Sequence, residues 1–310
     1  MNKILTILGP TASGKTSLSI KMAKRINAEI VGLDSRQIYK GMEIGTAQPN
    51  KIEMDGINHH LFGFRTPSKP ISAGEYARMV NCKIKEIQDR NRRVIICGGA
   101  GLYYRALSKG IFNGSVSNII IRNQLEERYN KNPKILLEYL KSIDPKYSDK
   151  VHLNNKKRLM RALEIFEITG KTPSENFKNQ KLNEFQSLNL FTVFLKWGKN
   201  SLNQRIVKRT KTMIKSGWID EVKILIHKEK KRKLNFPPLN SIGYRQISSY
   251  IDGLITFEEM HKQIIIKTRQ FARKQNQWFK KESIDLFIEM DNLKNEKIDQ
   301  ILHCLLKALI

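Results

Sequence analysis

Short apolar runs alternate with longer segments of helical periodicity along the first hundred residues. Three runs, 3–8, 29–33 and 93–97, predict buried strands, because each is too short for a buried helix and ends at glycine or aspartate. Between them, residues at helical spacing predict one helix after residue 16 and another over 72–90, opened by a capping box. This repeated order of strand, loop and helix predicts a parallel α/β sheet that carries its functional groups at the carboxyl ends of the strands.

The pattern changes after residue 114. Runs of β type are scarce between 115 and 187, where helical patterns dominate, and strand patterns return at 190–197 and 284–290. We therefore predict two parts: a core formed by residues 1–114 and 188–310, and an all-helical insertion at 115–187.

The loop after the first predicted strand fits the phosphate-binding pattern G-x-x-x-x-G-K-[ST]. Its residues are Gly9, Pro10, Thr11, Ala12, Ser13, Gly14, Lys15 and Thr16. In such a loop, backbone N–H groups and a helix N-terminus surround a di- or triphosphate, the lysine neutralises the terminal phosphates and the hydroxyl helps to hold Mg²⁺. The loop follows a strand and opens a helix, so we predict a P-loop NTPase-like core that binds a nucleotide such as ATP or another phosphorylated ligand, with Lys15 and Thr16 as catalytic groups.

An acidic residue, Asp34, follows the second predicted strand. It is expected to lie close to the phosphate loop, on a neighbouring strand. It could hold Mg²⁺ through water, cap the next helix or act as a general base, and the sequence leaves these alternatives open. Ser35 and Gln37 add groups that can read the edge of a base.

The third predicted strand ends without an acid, in the sequence Gly-Gly-Ala-Gly at 98–101. Nucleoside-triphosphate hydrolases usually hold their metal with an aspartate at the end of a core strand, so its absence disfavours ATP hydrolysis. The glycines are expected to let a ligand approach the backbone closely.

The charge balance is strongly basic. Lys and Arg number 56 against 29 Asp and Glu, a formal net charge of +27. This excess predicts a polyanionic partner, nucleic acid before anionic membrane, although a lysine-rich composition also arises from genomic bias.

Two long basic helices are predicted after Ser201 and Thr256, their expected N-caps, and a third basic segment lies at 156–161. The helix after Thr256 is expected to have two opposite sides. The basic side carries Arg269, Arg273 and Lys280, and the apolar side carries Ile264, Phe271 and Trp278. One such face alone is typical of solvated surface. Several, with glutamines interleaved, favour the backbone of a nucleic acid.

Cysteine and histidine positions argue against a metal centre or disulfide framework. The three cysteines are far apart, which is typical of a reducing compartment. His59 and His60 are expected to point to opposite faces of a strand, so they are interpreted as structural. No segment is predicted to span a membrane or to act as a signal peptide, and we expect a cytoplasmic protein that acts as a monomer.

Seven segments in order resemble the bacterial tRNA dimethylallyltransferases, also called tRNA isopentenyltransferases, of the IPP transferase family. They are 9–16, 33–49, 59–61, 98–107, 157–173, 241–246 and 268–279. The resemblance implies transfer of a dimethylallyl group from dimethylallyl diphosphate to N6 of the adenosine at tRNA position 37, 3′ of the anticodon, in tRNAs that read codons starting with U. It also implies that the loop holds the diphosphate with Mg²⁺ and that Asp34 takes the N6 proton.

The resemblance further implies a set of tRNA-contacting positions, and a mobile insertion that covers the anticodon loop. The positions are Asp34, Ser35, Arg36, Gln37, Ala100, Arg122, Lys157, Arg158, Leu159, Met160, Arg161, Asn240, Ser241, Ile242, Gly243, Tyr244, Arg245, Arg273, Lys274, Gln275, Asn276, Gln277, Trp278, Phe279 and Lys280. The chain departs from the family pattern at Gln48, Asn58, Ala100 and Asn155, where the family has Lys, Pro, Thr and Asp.

Three alternatives remain at this point. They are a small-molecule kinase with a P-loop, a prenyltransferase acting on free adenine nucleotides, and an RNA-binding protein with a vestigial phosphate loop. The kinase would need a second carboxylate on its metal, and the enzyme acting on free nucleotides would not need the basic C-terminal helix.

Overall fold

One parallel sheet of six strands forms the centre of the larger of two compact units, in the order β3-β2-β4-β1-β5-β6. The computed structural model describes residues 3–110, 118–179, 187–291, 293 and 295–309. Its strands are β1 (Ile4–Leu8), β2 (Ala28–Leu33), β3 (His59–His60), β4 (Arg93–Gly98), β5 (Leu190–Lys196) and β6 (Leu286–Glu289). The predicted α/β fold with a parallel sheet is confirmed.

The order of the strands differs from the expected one. Strand β4 pairs with β1 on one side and with β2 on the other, so Leu8 and Leu33 both lie opposite Gly98. The prediction that Asp34 follows a neighbour of β1 was wrong, because β4, which comes later in the sequence, lies between β1 and β2 in the sheet. Two strand spacings, about 10 Å, therefore separate the ends of β1 and β2.

Helices cover the sheet and build the rest of the larger unit. They are α1 (Lys15–Ile26), α2 (Glu43–Thr46), α3 (Lys51–Met54), α4 (Ala73–Gln88) and α5 (Gly101–Lys109), and after the insertion α11 (Lys199–Lys215), α12 (Trp218–Arg232), α13 (Tyr244–Ile251), α14 (Phe257–Phe279) and α15 (Asn295–Leu309). Positions on the central strands β1, β2 and β4 are almost wholly buried, from Leu5 and Ile7 on β1 to Ile95 on β4, and Met22 of α1 and Leu302 of α15 pack on the sheet. Burial on both faces explains why the strands read as continuous apolar runs.

The inserted helices form a compact unit of their own, Lys109–Ser187, and the larger unit consists of Met1–Ser108 and Leu188–Ile310. They are α6 (Ile119–Lys131), α7 (Pro133–Ile143), α8 (Pro145–Ser148), α9 (Lys156–Thr169) and α10 (Pro173–Asn179). This unit has its own core, in which Leu125, Leu136, Leu140 and Leu163 are buried. The predicted boundary at 114/115 lies outside the described residues.

The predicted helix starts have different outcomes. Thr256 caps α14 with a complete capping box, in which Thr256 Oγ1 accepts from the N–H of Glu259 at 3.2 Å. Ser72 caps α4 in the same way, but Glu75 pairs with Arg65 instead of completing the box. The prediction for Ser201 was wrong, since α11 begins at Lys199. Asp291 accepts the N–H of Gly198 and bonds the Ser201 side chain, so a distant carboxylate holds this helix start.

His59 and His60 both make contacts inside the protein. His60 Nε2 lies 2.5 Å from the buried Glu29 carboxylate, and His59 Nδ1 lies 2.9 Å from the carbonyl of Ile57. Among the residues with described positions, no three His, Cys, Asp or Glu side chains are grouped to hold a metal ion. None of the helices in the described ranges is long and apolar enough to cross a bilayer.

Candidate active site

The phosphate loop connects β1 to α1 in a conformation that turns backbone N–H groups inward. Ala12 and Gly14 have φ of 64° and 89°, in the left-handed region, and Gly14 is the N-cap of α1. Alternation between right-handed and left-handed residues forms the concave nest that binds anions. Glycine at position 14 is required by its φ, because other side chains are strained there.

Four side chains from distant parts of the chain hold this loop. Trp197 Nε1 donates to the carbonyl of Ser13 at 2.9 Å, and Arg205 Nε donates to the carbonyl of Ala12 at 2.7 Å. Arg209 Nη1 donates to Thr11 Oγ1 at 3.0 Å, and Gln275 Oε1 accepts the N–H of Thr11 at 2.9 Å. The loop is therefore positioned by the end of β5, by α11 and by α14, as well as by its own sequence.

Three cationic side chains meet at the loop. Lys15 Nζ donates to the carbonyl of Pro10 at 2.8 Å, and Arg205 and Arg209 bond the loop as described above. Burial lowers the pKa of Lys15 to about 8 and also lowers the pKa of both arginines. In the part of the chain that the structure describes, none of the three forms an ion pair with a carboxylate. Uncompensated cations around a nest of N–H groups form a site for an anion.

Asp34, at the end of β2, uses one oxygen to shape its own turn. Asp34 Oδ1 accepts the N–H of Arg36 at 2.7 Å and that of Gln37 at 3.3 Å, while Oδ2 accepts no hydrogen bond from any described residue. Burial lowers the pKa of Lys15 and of Arg209, and the Asp34 charge acts in the opposite direction on both, so the carboxylate lies within electrostatic reach of these cations. The interpretation of Asp34 as a helix cap was wrong, because the next helix, α2, begins at Glu43 with Met42 as its N-cap. Asp34 Oδ1 holds a local turn, and Oδ2 is left available for chemistry.

The loop after Asp34 is held by the segment at 241–246. Gln37 Nε2 donates to the carbonyls of Thr46 and Ala47, at 3.1 and 2.7 Å. Immediately before Thr46, the N–H groups of Ile44 and Gly45 donate to the Glu221 carboxylate, at 2.7 and 2.9 Å. The same carboxylate accepts a hydrogen bond from the hydroxyl of Tyr244 at 2.7 Å. Burial raises the pKa of Glu221. Tyr244 therefore supports the Asp34–Gln37 turn from inside the protein.

The glycines at the end of β4 accommodate other parts of the protein. A Cβ at Gly98 would lie 2.0 Å from the carbonyl oxygen of Leu33, and a Cβ at Gly99 would lie 2.5 Å from Gln275 Nε2. In this structure, the backbone of β2 and a side chain of α14 take the space that was predicted for a ligand, so that prediction was wrong at these two glycines.

The apolar side predicted for α14 is confirmed at Ile264 and was wrong at Phe271. The buried residues of α14 are Met260, Ile264, Ala272, Gln275 and Phe279. Phe271 is 43% exposed, and Trp278 is half-buried, packed on Gly101 with the Arg105 guanidinium 4.6 Å from its ring centroid. The buried stripe includes a glutamine because the phosphate loop and Gly99 satisfy its amide, which periodicity of apolar residues does not reveal.

The predicted tRNA-contacting positions of the larger unit divide by exposure. The exposed ones are Arg36, Asn240, Arg245, Arg273, Lys274, Gln277 and Lys280, and the half-buried ones are Asp34, Ser35, Gln37, Ala100, Ser241, Ile242, Asn276 and Trp278. The side chains of Tyr244, Gln275 and Phe279 are buried, as is Gly243. Three of the predicted positions therefore present no exposed side chain, and RNA contact stays a prediction for the whole set.

In the inserted unit, Lys157, Arg158 and Arg122 are exposed, Met160 and Arg161 are half-buried, and Leu159 is a core residue. Glu164, buried, accepts from Arg122 Nε at 3.0 Å and from Arg161 Nη1 at 2.6 Å. Two predicted RNA contacts are thus oriented by one buried carboxylate, and Leu159 makes none through its side chain.

The comparisons with known proteins agree along the chain. A family profile described as IPP transferase matches residues 37–282. The chain is 39% identical to a tRNA dimethylallyltransferase from Petrotoga mobilis over 303 residues, 97% of this chain and 99% of the relative.

The chain belongs to the IPP transferase family. Two solved structures of similar proteins have the same fold. The tRNA isopentenylpyrophosphate transferase of Bacillus halodurans is 33% identical, with a TM-score of 0.72, over 100% of this chain and 97% of that one. A eukaryotic dimethylallyltransferase acting on tRNA is 25% identical, with a TM-score of 0.84, over 100% of this chain and 81% of that one.

Sequence reasoning missed several residues of this family member's loop site: Trp197, Arg205 and Arg209. Leu202 and Ile206 are buried on the same helix, so the two arginines lie beside its apolar stripe. Arginines next to a buried stripe are only a weak signal in the sequence, since such side chains also lie along apolar surface with the charge in water.

Binding of inorganic pyrophosphate to the loop is expected to weaken as the pH rises through about 8, the pKa of Lys15. The ammonium is charged below its pKa and neutral above it, so affinity is full at lower pH and falls by up to about tenfold per pH unit above it. Calorimetric titration across this range measures the effect. Lys15→Arg, whose guanidinium stays charged, is the control, and an equal decline in that variant would contradict the assignment to Lys15.

Proposed function

We propose that this protein transfers a dimethylallyl group from dimethylallyl diphosphate to N6 of the adenosine at tRNA position 37, and releases diphosphate. The observation that carries the proposal is a cationic phosphate loop two strand spacings from a carboxylate with one unengaged oxygen. The relatives named tRNA dimethylallyltransferase support it.

The loop suits a diphosphate that leaves. Lys15, Arg205, Arg209 and the backbone N–H groups offset the negative charge that grows on the departing diphosphate. The Thr16 hydroxyl fits a Mg²⁺ ion whose other ligands are diphosphate oxygens and water, since that ion binds oxygen donors and keeps several waters. When bound, Mg²⁺ would neutralise further charge on the diphosphate.

The carboxylate suits an amine that attacks. The C–O bond to the diphosphate breaks as the C–N bond to N6 forms, and Asp34 Oδ2 takes the N6 proton. The ends of β1 and β2 lie about 10 Å apart with β4 between them, so the five-carbon chain and the edge of the base would meet beyond the end of β4. Oδ1 keeps the carboxylate oriented through its bonds to the Asp34–Gln37 turn.

The exposed basic residues of α14 suit an RNA partner. The target adenine must leave its stack to reach Asp34, which costs a few kcal/mol. Phosphate contacts along Arg273, Lys274 and Lys280 offset part of this cost. We also propose that the protein is cytoplasmic and acts as a monomer on unmodified tRNA, with the inserted unit covering the anticodon loop. Light scattering after size-exclusion chromatography tests the monomer.

A transfer assay tests the proposed function. The protein is incubated with dimethylallyl diphosphate, Mg²⁺ and unmodified tRNA, and digested RNA is analysed for a dimethylallyl mass gain on one adenosine. Parallel reactions with AMP or ATP in place of tRNA test the enzyme on free nucleotides, and ATP in place of the donor tests the kinase. Product only in these parallel reactions would overturn the proposal.

Neutralising Arg273 and Lys274 together is expected to reduce the salt dependence of tRNA binding. Each lost phosphate contact lowers the slope of log Kobs against log salt by about 0.7–0.9. Filter binding over a range of salt concentrations measures the slope. Lys230→Ala with Lys231→Ala, at the exposed end of α12, removes the same charge elsewhere and should leave the slope unchanged. An equal change in both double variants would show only the effect of net charge.

A further inference from the structure

Gln275 is a buried glutamine on α14 whose amide oxygen and amide nitrogen both form a hydrogen bond inside the protein. Its Oε1 accepts the N–H of Thr11 at 2.9 Å, across 264 residues, and its Nε2 donates to the carbonyl of Gly99 at 3.0 Å. Its side chain is 7% exposed. Because one partner is a donor and the other an acceptor, only one orientation of the amide satisfies both.

The contacts of Gln275 continue to the strand end that carries Asp34. The N–H groups of Gly99 and Ala100 both donate to the carbonyl of Leu33, at 3.0 and 3.1 Å. A chain of hydrogen bonds therefore runs from Thr11 in the phosphate loop through Gln275 and Gly99 to Leu33, the residue before Asp34. Glycine at position 99 makes this possible, since a Cβ there would lie 2.5 Å from Gln275 Nε2.

The same helix also carries exposed basic residues next to Gln275 in the sequence. Arg273, Lys274 and Gln277 are exposed, while Gln275 points into the protein. Helix α14, whose exposed residues would contact the RNA, therefore also connects the phosphate loop to the end of β4 through Gln275.

We propose that Gln275 is a positioning residue for the reaction, which sets the spacing between the phosphate loop and the strand end that carries Asp34, and that it makes no contact with RNA. This inference rests on the proposed function, because the spacing matters only if a donor in the loop reacts with an acceptor at Asp34. Gln275 touches neither substrate in this role.

Gln275→Met is expected to lower kcat by about 10–100-fold and to raise the KM for dimethylallyl diphosphate several-fold. Methionine keeps the length of the side chain but leaves the N–H of Thr11 and the carbonyl of Gly99 buried without partners, which lets the loop shift. A shift of about 1 Å is enough to cost a reaction of this kind about 100-fold. The Kd for tRNA is expected to stay within about twofold of wild type.

Gln263→Met is the matched control, because Gln263 lies on the same helix, is exposed and is not among the predicted tRNA-contacting positions. It is expected to leave kcat and the donor KM unchanged. If Gln275→Met instead weakened tRNA binding and left the donor parameters at wild-type values, Gln275 would be an RNA contact and the proposal would be overturned.

Gln275→Glu provides a readout that a merely structural role would not change. A protonated carboxyl can accept from Thr11 and donate to Gly99 as the amide does, whereas an ionised one opposes the Gly99 carbonyl and the diphosphate. The kcat/KM of this variant relative to wild type at the same pH is therefore expected to rise about fivefold or more as the pH falls from about 8 to about 6. If the kcat/KM of Gln275→Glu relative to wild type does not change with pH, the proposal is overturned. This test also holds if Gln275→Met fails to fold.

The proposed function is tested separately by the wild-type protein. If wild type yields no dimethylallyl product on tRNA, the proposed function fails before any variant is compared. If wild type is active and the variants behave as wild type, only the role of Gln275 fails.

Discussion

Asp34→Asn is expected to lower kcat by about 10²–10⁴-fold in a protein that stays folded. Asparagine keeps an oxygen that can accept the N–H groups of Arg36 and Gln37, so the turn at the end of β2 is preserved. It cannot take a proton from N6 at neutral pH. The substitution therefore separates the chemical role of the carboxylate from its role in holding the turn.

Single-turnover transfer to tRNA measures the effect, with tRNA affinity and thermal unfolding measured alongside. Affinity is expected to stay within a few-fold of wild type. Asp34→Ala also removes the hydrogen bonds that Oδ1 accepts within the turn, which should cost about 1 kcal/mol of stability in addition to the loss of turnover. Turnover near the wild-type rate in Asp34→Asn would exclude Asp34 as the general base.

Arg209→Met is expected to lower kcat/KM for dimethylallyl diphosphate by about 10²–10³-fold, the size of effect found when one donor to a developing oxyanion is removed. Arg209 bonds Thr11 Oγ1, and its charge lowers the pKa of Lys15, so it lies within electrostatic reach of the phosphate site. Its own pKa is lowered by burial, which means that the folded protein holds this charge at a cost.

Two accompanying results distinguish this role from a structural one. The melting temperature of Arg209→Met without ligand is expected to match or exceed that of wild type, because a half-buried charge that forms no ion pair with a described carboxylate is removed. The alkaline decline of pyrophosphate binding is expected to move above pH 8, because a positive neighbour of Lys15 is gone. Lys208→Met removes an exposed charge from the same helix and should change neither property. A large loss of melting temperature with unchanged donor kinetics would contradict the assignment.

The elements that local pattern predicted best are those whose signal is contained in a few adjacent residues. The strand before the phosphate loop, the loop itself and the capping box at Thr256 all belong to this class. Where a distant group supplies the partner, the prediction failed. Asp291 holds the start of α11 in place of a local cap at Ser201, and Gln275 lies in the buried stripe of α14 because the loop satisfies its amide.

The sequence by itself determined the parallel α/β class, the all-helical insertion, the phosphate loop and the presence of a carboxylate at the end of a strand. Each depends on periodicity or on a motif of a few residues. Only the tertiary structure decided that β4 lies between β1 and β2, and that Arg205, Arg209 and Gln275 converge on the loop. The reason is physical: strand order and long-range hydrogen bonds are selected by how the whole chain packs, and residues up to 264 positions apart carry no local signal of their meeting.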